Sequence, residues 1–257
     1  MELFFKKRKV WRKLLRINRL IERLFYLPPP FFRNFFSETL ITRIPYSNFY
    51  FRPFFLNEIY MALGLWEPYV RHFFTPSKGD VVLDVGAHIG YYTLKAARAV
   101  GPKGIVISVE PDPRNFELLR KNVRINRIQN VKLINCALGY STGYATFKMT
   151  NNPLYSELVK KSTNHDLSLT KVEVKTMDEL CETIGVQRLD WVKIDVEGGT
   201  SDVLRGGFKI LRHPTKMIIE IQDNETLKVL EELGYSNRPL FLSETRFGYY
   251  YSTRKSS

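Results

Sequence analysis

The residues best suited to chemistry in this sequence lie in two short motifs, each built around carboxylates. The first is Asp84-Val85-Gly86-Ala87-His88-Ile89-Gly90-Tyr91, which follows the apolar run Val81-Val82-Leu83 and leads into LKAARAV. A short apolar strand, a glycine turn and a helix together bring backbone close to a ligand and aim unpaired N–H groups at it. A dinucleotide fingerprint opening at Gly86 needs glycine at 88 and 91, where this chain has His88 and Tyr91. The phosphate-loop signature is absent, so nucleotide hydrolysis of that type is excluded. The next apolar run, GIVISVE, ends at Glu110. A carboxylate about 20 residues past such a turn accepts both hydroxyls of a ribose. A nucleoside with an amino-acid tail and no pyrophosphate fits this pattern, and S-adenosylmethionine is such a ligand. Asp84, Gly86, Ala87, His88, Gly90, Tyr91 and Glu110 are the expected cofactor contacts, His88 through its backbone. The competing reading is a strand-turn-helix unit that serves packing alone.

The second motif is Trp191-Val192-Lys193-Ile194-Asp195-Val196-Glu197-Gly198. Alternation along a strand puts residues 195 and 197 on one side, and in an open α/β sheet this strand end lies beside the first glycine turn. Asp195 and Glu197 are therefore the expected catalytic pair, able to orient an acceptor hydroxyl and take its proton. Capping of the next helix is the alternative for either one. No third acid completes an evident metal site.

These motifs need a scaffold of alternating strands and helices. Strands are expected at 81–85, 105–110, 131–136, 190–195 and 216–221, with helices at 90–100, 113–126, 176–184, 200–211 and 224–233. The rhythm breaks at 139–175, where GYATFKM and TKVEVKT suggest an inserted hairpin near the mouth of the site. Asn152, Ser156 and His165 in its loop, and Glu220 at the end of the fifth strand, are candidate acceptor contacts by position. PLFLS and GYYYSTR suggest a closing antiparallel pair.

Ahead of this body, residues 1–77 form an expected extension, leaving 78–257 as the cofactor-binding domain. Residues 1–27 hold nine basic side chains against Glu2 and Glu22, more than half of the net charge of +13. Residues 6–27 read as a basic amphipathic helix, with Val10, Leu14, Ile17, Ile21 and Leu24 on one face. Such a helix can pack on its own domain, lie on an anionic membrane surface or touch nucleic acid. Ten aromatics crowd residues 31–55, which are expected to pack on the body or form an apolar acceptor or membrane-facing surface. A single helix is expected over 57–74. Two distant cysteines without histidine partners, no spanning run and no cleavable signal fit a reduced cytoplasmic setting.

DVGAHIGYYT, VEPDP, NVKLINCALG and above all VKIDVEGG leading into VLRGG make residues 78–222 similar to the FkbM-type family of S-adenosylmethionine-dependent methyltransferases. The resemblance implies an α/β, seven-stranded class I methyltransferase (Rossmann-like) fold and O-methylation of sugars, polyketides or other small acceptors. It places Asp84, Gly86, Gly90 and Glu110 at cofactor positions and Asp195 and Glu197 in the active-site motif. Pro111 and Ala137, within VEPDP and NVKLINCALG, join the expected cofactor contacts. One position departs from the pattern: Thr200 stands where the family carries an acid, with Asp202 two residues on. A transfer-RNA methyltransferase is the competing enzyme class, weakened by DVEG in place of Asp/Asn-Pro-Pro-Tyr/Phe. A catalytically silent membrane or partner adaptor is the competing non-enzyme.

Overall fold

The computed structural model describes residues 39–44, 47–52, 55–149, 157–158, 168–242 and 248–255. The expected basic helix at 6–27 and the loop residues Asn152, Ser156 and His165 lie outside them. In chain order come β1 (Leu40–Ile44), β2 (Ser47–Phe51), α1 (Leu56–Ala62), α2 (Pro68–Phe73), β3 (Val81–Val85), α3 (Tyr91–Val100) and β4 (Ile105–Val109). They are followed by α4 (Pro113–Ile125), β5 (Val131–Ile134), β6 (Ala137–Leu138), β7 (Gly143–Met149), β8 (Glu157–Leu158) and β9 (Ser168–Lys175). The chain continues with α5 (Met177–Thr183), β10 (Trp191–Ile194), α6 (Thr200–Arg205), β11 (Lys216–Ile221), α7 (Asn224–Glu232), β12 (Tyr235–Leu242) and β13 (Gly248–Arg254).

Seven strands form the main sheet in the order β12-β13-β11-β10-β3-β4-β5. The five strands β11-β10-β3-β4-β5 run parallel, and β13 pairs antiparallel with both β11 and β12. Strand order reverses between β3 and β10, and a crevice at such a point is where open α/β sheets bind ligands. Register places Lys193 opposite Asp84, and Asp84 opposite Ser108. Glu220 lies opposite Tyr249.

Local chemistry explains where the helices begin. Asp112 caps α4 by accepting from the Arg114 amide, with Pro113 at the first helical position. Thr176 accepts from the Glu179 amide at the start of α5, and Asp223 accepts from the Thr226 amide at the start of α7. One sheet face packs Leu83, Val85, Ile107, Val192 and Met217 against residues of α5, α6 and α7. The other packs Val82, Val106, Trp191 and Ile218 against α3, α4 and the N-terminal segment.

The described residues of that segment pack on the body, the first of the two expected arrangements. Strands β1 and β2 pair antiparallel, and Ile44 and Phe49 are buried in the core of the second face. Asn122 and Asn126 of α4 bond its backbone at Tyr50 and Asn48. Phe74, fully buried, meets Trp191 and Tyr92 edge-on. The single helix expected over 57–74 is two, α1 and α2. Gly64 has φ of 67°, Glu67 has φ of 39°, and Pro68 opens α2.

Two other elements are shorter than their patterns imply. The expected 200–211 helix ends at Arg205, followed by a 3-10 turn at Ile210–Arg212. A Cβ on Gly206 would meet the Gly139 carbonyl oxygen at 2.1 Å, so the chain turns where it packs on that loop. Strand β5 stops at Ile134, and Asn135 donates to the Glu110 carbonyl oxygen at 2.7 Å. The expected inserted hairpin is present as β7 and β9, paired antiparallel. They belong to a four-stranded sheet of order β6-β9-β7-β8. No helix among the described residues is long and apolar enough to cross a membrane.

Candidate active site

A cavity of about 770 Å³ opens at the carboxyl ends of β3, β4 and β10. Asp84, Gly86, Ala87, His88, Tyr91, Glu110, Pro111, Ala137, Asp195 and Glu197 all line it. The chain thus brings both motifs to one space. Gly90 and Glu220 do not line it. Gly90 serves packing instead: its φ is 94°, and a Cβ there would meet Leu119 Cδ1 at 2.6 Å. Glu220 is half-buried and accepts from Gln222 Nε2 at 2.9 Å. Burial first, then the carboxylates of Asp195 and Glu197, push its carboxyl up to about 8.

Asp84 is fully buried at the tip of β3. Its Oδ2 accepts from the Thr93 hydroxyl at 2.7 Å, while Oδ1 is buried and has no protein partner. A buried, orphaned carboxylate oxygen needs a donor from a ligand. Gly86 has φ of 77°, and a Cβ on it would come within 1.9 Å of the Asp195 carbonyl oxygen. The bare glycine is what lets the tips of β3 and β10 touch. His88 donates its backbone N–H to Glu110 Oε2 at 2.8 Å. Glu110 Oε1 accepts from the Asp112 amide at 3.0 Å and from Asn115 Nδ2 at 3.4 Å. The Glu110 carboxylate is fixed in orientation, and burial pushes it up to about 7.

The N-terminal segment reaches this end of the cavity. Glu58, fully buried, receives Arg52 through Nε at 2.8 Å and through its amide at 2.6 Å. Arg52 Nη2 also donates to Asn115 Oδ1 at 2.7 Å, and His88 Nε2 stands 3.6 Å from Glu58 Oε1. Burial and then Arg52 hold the His88 ring well below its ordinary range, hence neutral.

At the other end Lys193, 2% exposed, places Nζ 2.6 Å from Asp195 Oδ2 and 4.7 Å from the centre of the Tyr92 ring. Burial works to lower this ammonium, but Asp195, then Glu67 and Asp84, outweigh it and raise it. The Tyr249 hydroxyl lies 3.3 Å from Asp195 Oδ1 and donates to Glu67 Oε1 at 2.5 Å. Thr200, where the family pattern has an acid, is buried, and its Oγ1 donates to the Glu220 carbonyl oxygen at 3.3 Å. Asp202 does line the cavity. Among the described residues no group of three or more His, Cys, Asp or Glu is arranged to hold a metal ion. Cys136 and Cys181 are free, buried thiols pushed up to about 12, foremost by burial, and so are poor nucleophiles.

Arg52, Glu58, Glu67, Lys193 and Tyr249 have no place in the sequence reading of the site. The signal was faint: Glu58 and Glu67 are isolated acids in an apolar, aromatic stretch, and Lys193 interrupts an apolar strand. A charge where a buried strand calls for an apolar residue is costly unless paired, and Lys193 is paired.

The sheet order and the glycine cradle define a class I S-adenosylmethionine-dependent methyltransferase fold. The donor set fits that cofactor: an open acceptor at Asp84 suits an ammonium, and the fixed carboxylate of Glu110 suits ribose hydroxyls. The FkbM methyltransferase domain model matches residues 84–240, and the chain belongs to that family. It is similar to Methyltransferase 1 of Beauveria bassiana, 29% identical over 145 residues, which cover 49% of this chain and 57% of that protein. The 2-O-methyltransferase NoeI of Sinorhizobium fredii is 25% identical over 159 residues, covering 56% and 64%. The hexuronic acid methyltransferase AglP of Haloferax volcanii is 30% identical over 164 residues, covering 61% and 64%. The chain therefore spans less than two thirds of the length of these relatives. The crystal structure of methyltransferase FkbM from Methylobacillus flagellatus KT aligns with a TM-score of 0.51 at 18% identity. That alignment covers 73% of this chain and 48% of the other.

The Glu110 environment gives a pH prediction. Ribose hydroxyls would donate to the ionised form of this carboxylate, and that form is lost as pH falls through about 7. Affinity for S-adenosylmethionine is therefore expected to weaken between about pH 8 and about pH 6. Glu110→Gln should bind at least about tenfold more weakly and lose most of this dependence. Calorimetry at several pH values checks both, and an unchanged affinity in the variant would contradict the assignment.

Proposed function

We propose that the protein transfers a methyl group from S-adenosylmethionine to an oxygen, hydroxyl or carboxyl, of a glycan, lipid-linked or other small-molecule acceptor. The observation that carries this reading is the placement of Asp195 and Glu197 on the same cavity as Asp84, Gly86 and Glu110. When bound, S-adenosylmethionine supplies a methyl carbon activated by its sulfonium. Asp84 Oδ1 would hold the ammonium of its tail and Glu110 its ribose, with His88, Ala87, Tyr91, Pro111 and Ala137 enclosing it. Asp195, steered by Lys193, and Glu197 orient the acceptor oxygen, and Asp195 takes its proton. Alignment of reacting atoms supplies about 7–11 kcal/mol in well-oriented systems. The names of NoeI and AglP, a 2-O-methyltransferase and a hexuronic acid methyltransferase, support an oxygen acceptor on a sugar.

A cytoplasmic placement, with residues 6–27 resting on an anionic membrane surface, belongs to the same proposal and rests on the basic pattern of that stretch. The test is incubation of the full chain with methyl-labelled S-adenosylmethionine and the lipid, glycan, RNA and peptide fractions of a cell extract. Label is expected in the glycan or lipid fraction. Label in transfer RNA would replace this reading with the nucleic-acid one. Cofactor binding without label in any fraction would favour the silent adaptor.

A further inference from the structure

Glu67 precedes the residues that match the family, yet it reaches the reactive end of the site. Its backbone is left-handed, φ 39° and ψ 62°, a conformation that a residue other than glycine rarely adopts. The neighbouring Trp66 lines the cavity, while the Glu67 carboxyl turns inward behind Asp195. Glu67 Oε1 accepts from the Tyr249 hydroxyl at 2.5 Å, and the same hydroxyl lies 3.3 Å from Asp195 Oδ1. A hydroxyl has one proton, so it cannot donate to both carboxylates at once. When both contacts are hydrogen bonds, one carboxyl must carry a proton of its own. Asp195 Oδ2 is paired with the Lys193 ammonium at 2.6 Å, whereas Glu67 is raised, first by burial. Below about pH 7 the extra proton sits on Glu67, which then donates to the Tyr249 oxygen while Tyr249 donates to Asp195. Once Glu67 ionises, the Tyr249 hydroxyl donates to Glu67 and its oxygen is open to a proton from Asp195.

The groups facing Glu67 are Asp195 and Lys193 of β10, Tyr249 of β13, Tyr92 of α3 and Glu220 of β11. Burial first and Asp195 second push Glu67 up to about 7, against the opposing pull of Lys193, Tyr249 and Tyr92. Glu67 thus exchanges its proton near neutral pH, while Glu220, at about 8, keeps its own longer.

We propose that Glu67 is a positioning residue of the reaction, receiving the acceptor's proton from Asp195 through the Tyr249 hydroxyl. This rests on the oxygen-methylation reading above. The balance is closed: the acceptor oxygen gains the methyl group as the carbon–sulfur bond breaks and the sulfonium becomes a neutral thioether. The acceptor's proton passes to Asp195. Asp195 then donates to the Tyr249 oxygen as Tyr249 gives its own proton to ionised Glu67. The N-terminal segment would thus complete the active site and not merely cover it.

Two measurements on the full chain test this. Infrared difference spectra of the ligand-free protein, titrated from about pH 5 to about pH 9, should show two buried carboxyls that ionise near 7, Glu67 and Glu110. Glu67→Gln should remove one of the two and leave Glu110, and Asp195→Asn, which takes away a negative neighbour of Glu67, should shift the Glu67 carboxyl to lower pH. A Glu67→Gln spectrum in which both carboxyls still ionise near 7 overturns the inference. The second measurement is the pH profile of methyl transfer to the labelled extract fraction at saturating S-adenosylmethionine, so that the Glu110 titration does not enter the rate. The wild-type rate should rise with pH through about 7. In Glu67→Gln and Tyr249→Phe it should be about tenfold lower at high pH and lack that rise, with KM for S-adenosylmethionine unchanged. A full-strength, unaltered profile in both variants also overturns it. Failure of the parent reading looks different: Asp195→Asn would then transfer label as fast as the wild type, or no fraction would be labelled. In the latter case the infrared result alone decides.

Discussion

Gly86→Val is expected to abolish measurable binding of S-adenosylmethionine and to destabilise the protein by several kcal/mol, on the order of 3–5. Two effects combine. The residue sits at φ of 77°, where a β-branched side chain is strained, and its first carbon would lie 1.9 Å from the Asp195 carbonyl oxygen and 2.9 Å from the Asp195 carbonyl carbon. Both atoms are backbone, so no side chain can swing aside. The tips of β3 and β10 must separate, and that separation moves Asp84 and Asp195 away from the cavity together. Urea denaturation gives the stability change and calorimetry the affinity. An affinity within about threefold of wild type would show that the strand tips tolerate separation and that the cradle is not built as described.

Asp195→Asn is expected to lower methyl transfer by about 10²–10⁴-fold, the range for loss of a general base. Cofactor affinity should hold, because Asp84 and Glu110 stay in place. The amide retains the shape of the carboxyl but cannot take the acceptor's proton, and it leaves Lys193 with Glu67 and Asp84 as its remaining acidic neighbours. The measurement is the initial rate of label transfer at saturating cofactor, beside calorimetry on the same preparation. A rate within about threefold of wild type would move the base to another acid on the cavity, Glu197 or Asp202.

Both predictions concern residues that could be read from the chain. Asp84, Gly86 and Glu110 are legible because strand, turn and helix follow one another within a few residues, and the interval to the second carboxylate is set by one helix and one strand. Asp195 and Glu197 are legible because a strand alternates its side chains and an open sheet puts its carboxyl ends together. The inserted hairpin could also be read, GYATFKM coinciding with β7. Gly90 was readable as a special position but not for its reason, since its contact with Leu119 belongs to the packing of two helices. The pairing of β1 with β2 was hidden because the aromatics of that stretch are apolar without a clean period, and its burial depends on the partner it meets.

What the sequence determined by itself was the glycine turn and the acidic strand tip that share the cavity, because those features depend on intervals of a few residues or on one element's periodicity. The tertiary structure alone decided what surrounds them. Tyr249 is 182 positions from Glu67 and 54 from Asp195, yet one hydroxyl lies between the two acids. Arg52 reaches Asn115 across 63 positions. Lys193 acquires its meaning only when register sets it opposite Asp84. Such contacts arise from the order of strands in the sheet and the packing of a distant segment over it, and no linear spacing encodes either.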